Sequence, residues 1–242
     1  MWLKTLQIIV FLLIINSCAH QVPLKPVFVK KNPDQIVGYF LDNLKQNCFT
    51  SSGKGKVETG EKSYSFGYDS VVSFDKGQWG IGFNVPFSGE ETLLFEWDKN
   101  DKNKTKLRGT FYDTILSEIL KMPKEEATES ILRLRNLKDL QAQFFYYFEK
   151  IITSGEVICG VSDSDDFTAT GECYEFNGAE KKNAFSWKYN QRDIQITIKN
   201  RFGYVYELKL GNVNENGKFL SVEIGLIKDK ETKLSLIAST CR

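Results

Sequence analysis

The sequence predicts an α+β protein: an antiparallel sheet curled into an open half-barrel and covered by helices. Three observations point there. Two long blocks, from Cys48 to Phe111 and from Val157 to Leu236, place apolar residues at every second position, the period of a half-buried strand. Between them, from Asp113 to Thr153, the period becomes helical. A sheet with one apolar face must also bury that face against something, and curling the sheet beneath a helical lid does so. Aromatic residues at 13% and only five prolines suit β-structure.

The elements follow in order. Asn32 and Pro33 form a helix start, with an N-cap residue and then proline at the first turn. Ile36, Val37, Phe40, Leu41 and Leu44 stripe one face of that helix. Tyr64, Phe66 and Tyr68 alternate with polar residues or glycine, as do Trp79, Ile81, Phe83 and Val85. Leu93, Phe95 and Trp97 continue the pattern, then Leu107 and Phe111. Asp75-Lys76-Gly77 is a turn, and the charged run Lys99 to Lys106 is a solvated hairpin loop. In the helical insert (about 113–153), Ile115, Leu116, Ile119 and Leu120 share a face. Pro123 begins a second helix there. Leu137, Leu140, Phe144, Phe148 and Ile151 stripe a third, which ends at Ser154-Gly155. Strands resume at Val157 to Val161 and Phe167 to Phe176. Phe185 and Trp187, then Ile194, Ile196 and Ile198, then Tyr204 to Leu210 continue them. Asn216-Gly217 is a hairpin turn leading to Leu220 through Leu226.

The start of the chain has a different character. Lys4 precedes an apolar run, Ile8 to Ile15, and Asn16-Ser17-Cys18 follow. This is the layout of a secretory signal peptide, and the run is too short for a membrane span of roughly 20 residues. Ile15 and Ser17 ahead of Cys18 resemble the lipobox of bacterial lipoproteins. That resemblance implies residues 1–17 as a signal peptide, cleavage before Cys18 and acylation of its thiol. Membrane lipid then becomes a partner through the acylated Cys18. The alternative is an ordinary secreted protein with Cys18 near the cut by chance. Two or three acyl chains hold a protein to a membrane durably. Ala19, where the family uses Asp for inner-membrane retention, points to the outer membrane, facing the periplasm. Residues 18–31, with Pro23 and Pro26, read as an extended tether, and 32–242 as one body.

Loss of Lys4 with the signal peptide leaves 31 basic and 31 acidic residues. That balance lacks the basic footprint of a nucleic-acid binder. An exported chain is free to form disulfides. Cys48, Cys159, Cys173 and Cys241 allow three pairings. Cys159–Cys173 is favoured because the polar segment between them reads as a hairpin loop, which leaves Cys48–Cys241. No C-x-x-C spacing suggests zinc, and the expected metal and cofactor content is none. Asp163, Asp165 and Asp166 could ligate calcium but read first as a solvated loop. The single histidine, His20, lies in the tether, so triad chemistry has no base in the body. Ser51-Ser52-Gly53-Lys54 matches S-x-x-K without its companion motifs. Gly53-x-Gly55 opens no helix and so is no phosphate loop. The sequence predicts no enzyme.

The order of elements resembles the LolA/LolB family of lipoprotein carriers, with the first meander closest to LolB. The residues that carry the resemblance are Gly53 to Val57, Tyr64 to Tyr68, Gln78 to Phe83, Asn84-Val85-Pro86-Phe87-Ser88-Gly89 and Leu93 to Trp97. Tyr204 and the Asn216-Gly217 hairpin match more weakly. The insert from Met122 to Thr153 is longer than the family's, and the four body cysteines depart from its pattern. The resemblance implies an outer-membrane lipoprotein that binds acyl chains in a hydrophobic barrel. It would receive acylated lipoprotein cargo from a periplasmic, LolA-like carrier and insert it into the membrane without covalent chemistry. Tyr64, Phe66, Trp79, Ile81, Phe83, Phe95, Trp97, Phe111 and Trp187 would line the acyl cavity. Pro86 and Phe87 would form a membrane-inserting loop. The same aromatic residues also read as packed core, and Phe87 as folded back onto it. The runner-up function is an envelope lipoprotein of the same fold that scaffolds or binds a partner and transfers nothing. For a protein that delivers cargo, Phe87→Glu is expected to slow delivery and leave cargo binding intact. Unchanged delivery in a transfer assay would refute the loop's role.

Overall fold

The computed structural model describes residues 28, 31–45, 49–59, 62–85, 89–101, 104–153, 156–177, 180–190, 192–200, 202–213, 218–227 and 232–241. Cys18, Cys48, Pro86, Phe87, Ser154-Gly155 and Asn216-Gly217 lie outside the described residues, as does nearly all of the proposed signal peptide and tether.

Helix α1 (Pro33–Lys45) starts at a reciprocal cap. The Gln35 amide donates to Asn32 Oδ1 at 2.9 Å, and the Asn32 amide donates to Gln35 Oε1 at 3.2 Å. Its buried residues are Ile36, Phe40 and Leu44, spaced four apart on one face. The first meander is β1 (Thr50–Thr59), β2 (Lys62–Ser73), β3 (Gln78–Val85), β4 (Gly89–Trp97) and β5 (Thr105–Arg108). Helices α2 (Thr110–Leu120) and α3 (Lys124–Thr153) follow. The second meander is β6 (Val157–Ser164), β7 (Thr168–Asn177), β8 (Glu180–Asn190), β9 (Ile194–Lys199), β10 (Val205–Val213), β11 (Phe219–Ile227) and β12 (Thr232–Cys241).

All twelve strands join one antiparallel sheet in the order β5-β4-β3-β2-β1-β12-β11-β10-β9-β8-β7-β6. This corrects the expected α+β, LolA/LolB-like half-barrel covered by helices. The protein is mainly β: more than half of the described residues lie in antiparallel strands of one open, non-closed sheet, and the helices are the minor part. Local periodicity reports which face of a strand is buried. It does not report whether the outermost strands meet. Here β5 and β6 each have one neighbour, so the sheet stays open. A second correction concerns the insert. The two helices expected after Pro123 are one continuous helix, α3. Lys124 to Thr153 contains no glycine or proline to interrupt it.

The apolar face gathers Tyr68, Trp79, Ile81, Phe83, Phe95 and Trp97 from the first meander. Phe185, Trp187, Tyr189, Ile194, Ile196, Ile198, Tyr206 and Leu208 come from the second. The other face is polar, as Lys54, Lys56, Asp69, Lys188 and Lys209 illustrate. Cys159 and Cys173 are register partners across β6 and β7 and form a disulfide. In the loop-entropy model such a bond contributes about 3 kcal/mol. Cys241 is also disulfide-bonded. The turn between β6 and β7 is held by Asp165, whose Oδ1 accepts from the amides of Phe167 and Thr168, each at 2.7 Å. Those two bonds pull its carboxyl below the usual range.

Gly171 lets β7 pass beneath Trp187. A Cβ there would lie 2.0 Å from the Gly160 carbonyl oxygen and 2.5 Å from the indole ring. Gly171→Ala is therefore expected to destabilise the protein by about 1–3 kcal/mol through overpacking. Thermal unfolding would register this as a fall of about 2–4 °C per kcal/mol, and an unchanged midpoint would refute the close approach.

Candidate functional site

Among the described residues, the aromatic face beneath α3 and a cleft beside that helix both have the geometry of a site. Alternation carries Trp79, Ile81 and Phe83 of β3 and Phe95 and Trp97 of β4 to the buried face. On α3, Phe144, Phe145 and Phe148 point at them. Trp97 stacks on Phe145 with ring centroids 4.6 Å apart, and Trp79 packs against the same ring at 5.7 Å. Phe144 stacks on Phe148 at 5.4 Å. The polar tips of both indoles are satisfied. Trp79 Nε1 donates to Ser70 Oγ at 2.7 Å, and Trp97 Nε1 donates to Glu149 Oε2 at 2.9 Å. Lys99 lies 3.3 Å from the other oxygen of Glu149. A buried carboxylate thus joins α3 to the end of β4 and to the loop after it.

The remaining predicted residues lie elsewhere. Phe66 and Phe111 are half-buried and flank Phe83 at 5.0 and 4.7 Å. Trp187 sits on the other half of the sheet, stacked on Phe40 of α1 at 4.4 Å. Tyr64 is 57% exposed. Packing beneath α3 leaves a cavity of about 60 Å³, bordered by Trp79 alone of the nine predicted residues. Its walls are mainly apolar, with Tyr68, Ser51, Ser70 and Tyr206 contributing hydroxyls. Tyr206 is 1% exposed, and burial pushes its phenol far above the ordinary range. Burial also raises Tyr68, and the Ser51 hydroxyl partly opposes that shift.

The larger space was not legible in the sequence. A cleft of about 760 Å³ lies between α3, the start of β8 and the turn joining β9 to β10. Leu132, Asn136, Asp139 and Gln143 reach it from α3 at spacings of three and four, so they share one helix face. Asn136 is buried and donates to the Leu132 carbonyl at 2.7 Å. It accepts from Asn200 Nδ2, also at 2.7 Å. Asn200 in turn accepts from the amides of Phe202 and Tyr204 at 2.9 and 3.1 Å, which fixes the turn at the cleft's edge. Arg135, Lys138, Lys182 and Lys199 line the space against one carboxylate, Asp139. Leu132 and Phe202 line it too and are 45% and 58% exposed. Asn136 and Asn200 are 64 residues apart, and no local pattern links them.

No protein-family model matches the chain, and no characterised protein or solved structure is significantly similar to it. The likeness to LolB rests on the residues quoted above alone. The described residues hold no group of three or more His, Cys, Asp or Glu side chains placed to bind a metal. None of their helices is long and apolar enough to cross a membrane.

The Glu149 contacts yield a direct test. Glu149→Leu leaves the buried Trp97 donor without this acceptor, at a cost of about 1–3 kcal/mol. Adding Trp97→Phe removes the orphaned donor, so the double variant is expected to lose less than the sum of the singles in urea unfolding. Strict additivity would show that the two side chains are not coupled.

Proposed function

We propose that this is a lipid-anchored, non-catalytic binding protein of the bacterial outer membrane, facing the periplasm. On this reading it holds a ligand in the cleft beside α3 and does not ferry acyl chains. The supporting observation is the contrast between the two spaces. Ligand pockets run from about 300 to 1,000 Å³, a range that includes the 760 Å³ cleft but not the 60 Å³ interior. An acyl chain would have to displace the stacked rings of Trp97, Phe145, Phe144 and Phe148. That would expose apolar area worth roughly 25 cal/mol per Å². The anchor itself is argued from Lys4, the apolar run and Ser17-Cys18.

A second reading has one observation in its favour. The buried Tyr206 side chain borders an apolar cavity that would suit an acyl group entering when α3 lifts. That is the carrier function, with lipoprotein cargo and a periplasmic carrier as partners.

Native mass spectrometry of residues 21–242, purified without detergent and mixed with a triacylated peptide, separates the two. The binding-module reading expects no peptide adduct. A stoichiometric adduct that is lost when α3 is locked to the sheet by an added disulfide would make acyl transfer the leading function.

A further inference from the structure

We propose that the cleft between α3 and the β8–β10 region takes a phosphate ester that carries an apolar group. This rests on the binding-module reading and names its ligand class. Charge is the first argument. Arg135, Lys138, Lys182 and Lys199 line the space against Asp139 alone, so the walls hold four cations and one carboxylate, although residues 32–242 as a whole carry 28 basic and 31 acidic residues. The one carboxylate does not neutralise the set. Asp139 lies 3.9 Å from Arg135, and both side chains are well exposed. Such a pair contributes little and is readily exchanged. Among the described residues, Lys138, Lys182 and Lys199 form no ion pair. A single carboxylate ligand would leave most of this charge unmatched. A phosphate monoester brings nearly two charges and several acceptor oxygens, and Arg and Lys donors form their strongest hydrogen bonds to such groups.

The second argument is the mixed lining. Leu132 and the ring of Phe202 border the same space and are largely uncovered. A bare inorganic anion would leave them in water. An ester with an apolar or planar portion covers them. The third argument is rigidity. Asn200 holds the turn that carries Phe202 and is itself held by Asn136 of α3. The two walls are thus tied together before any ligand arrives, which lowers the ordering cost of binding.

Isothermal titration calorimetry on the full chain in a neutral detergent tests this with four probes: dihexanoyl phosphatidic acid, glycerol 3-phosphate, inorganic phosphate and dihexanoyl glycerol. The phosphatidic acid is expected to bind most tightly, and its affinity to fall as salt is raised. Lys182→Glu with Lys199→Glu, both at exposed positions, is expected to weaken it about tenfold or more. Phe202→Ser is expected to weaken phosphatidic acid and leave inorganic phosphate unchanged. Glycerol 3-phosphate binding as tightly as phosphatidic acid would assign the site to soluble phosphate esters and remove the apolar requirement. Dihexanoyl glycerol binding equally well, insensitive to the lysine reversals but lost in Phe202→Ser, would overturn the phosphate assignment and leave the binding-module reading standing. No binding by any probe would overturn both.

Discussion

The pairing of β1 with β12 holds the rest together. Each meander pairs its strands consecutively, so each could form a sheet alone. Only the ladder from Ser51↔Cys241 to Thr59↔Thr232 makes them one. This contact joins the start of the body to its end, and such non-local pairing is slow to form and expensive in loop entropy. The sequence accommodates it with small residues. At Gly53, where the register shifts, a Cβ would lie 2.0 Å from the Ile237 carbonyl oxygen. At Gly55 the space is taken by the ring of Phe66 from β2. Once β1 and β12 meet, α3 can touch β4 and β5 of one meander and β9 and β10 of the other. The helix therefore packs on a surface that exists only because the ends of the chain are paired.

What sequence could reveal follows from how far apart the interacting residues lie. The Asn32-Pro33 helix start and the Ile194, Ile196, Ile198 alternation span a few residues, and the fold keeps them as read. The Cys159–Cys173 bond was legible for the same reason, since a hairpin sets the two residues opposite each other. Closure of the sheet was not, because it depends on whether β5 and β6 meet, and nothing in either strand encodes that. The extent of α3 was misread for a smaller reason. The expected boundary lies between Pro123 and Leu137, where Lys124 to Thr153 holds no glycine or proline to break the helix. The cleft was missed because its floor is an amide pair between a helix and a distant turn.

The aromatic side chains illustrate why composition alone cannot distinguish a hollow sheet from a filled one. Trp79, Phe83, Phe95 and Trp97 sit where a cavity lining would place them. Whether they enclose space depends on the opposing surface, and α3 supplies rings at Phe144, Phe145 and Phe148 rather than small residues. Aromatic pairs at these separations add about 0.5–1.5 kcal/mol each beyond their buried area. The interior is therefore committed to the helix.

That commitment is uneven along α3, and the unevenness places the cleft. From Leu140 to Ile151 the helix is mostly buried against the sheet, and Glu149 fixes it to Trp97. From Lys124 to Arg135 it is mostly exposed, with Ile131 and Leu132 open to solvent. The change falls at Asn136, the first buried residue of the helix in chain order. A polar side chain buried there needs a partner, and Asn200 provides it from across the gap. The hydrogen bond thus marks where the helix leaves the sheet. The cleft is the space opened by that departure, bordered by side chains that belong neither to the packed interior nor to a flat surface.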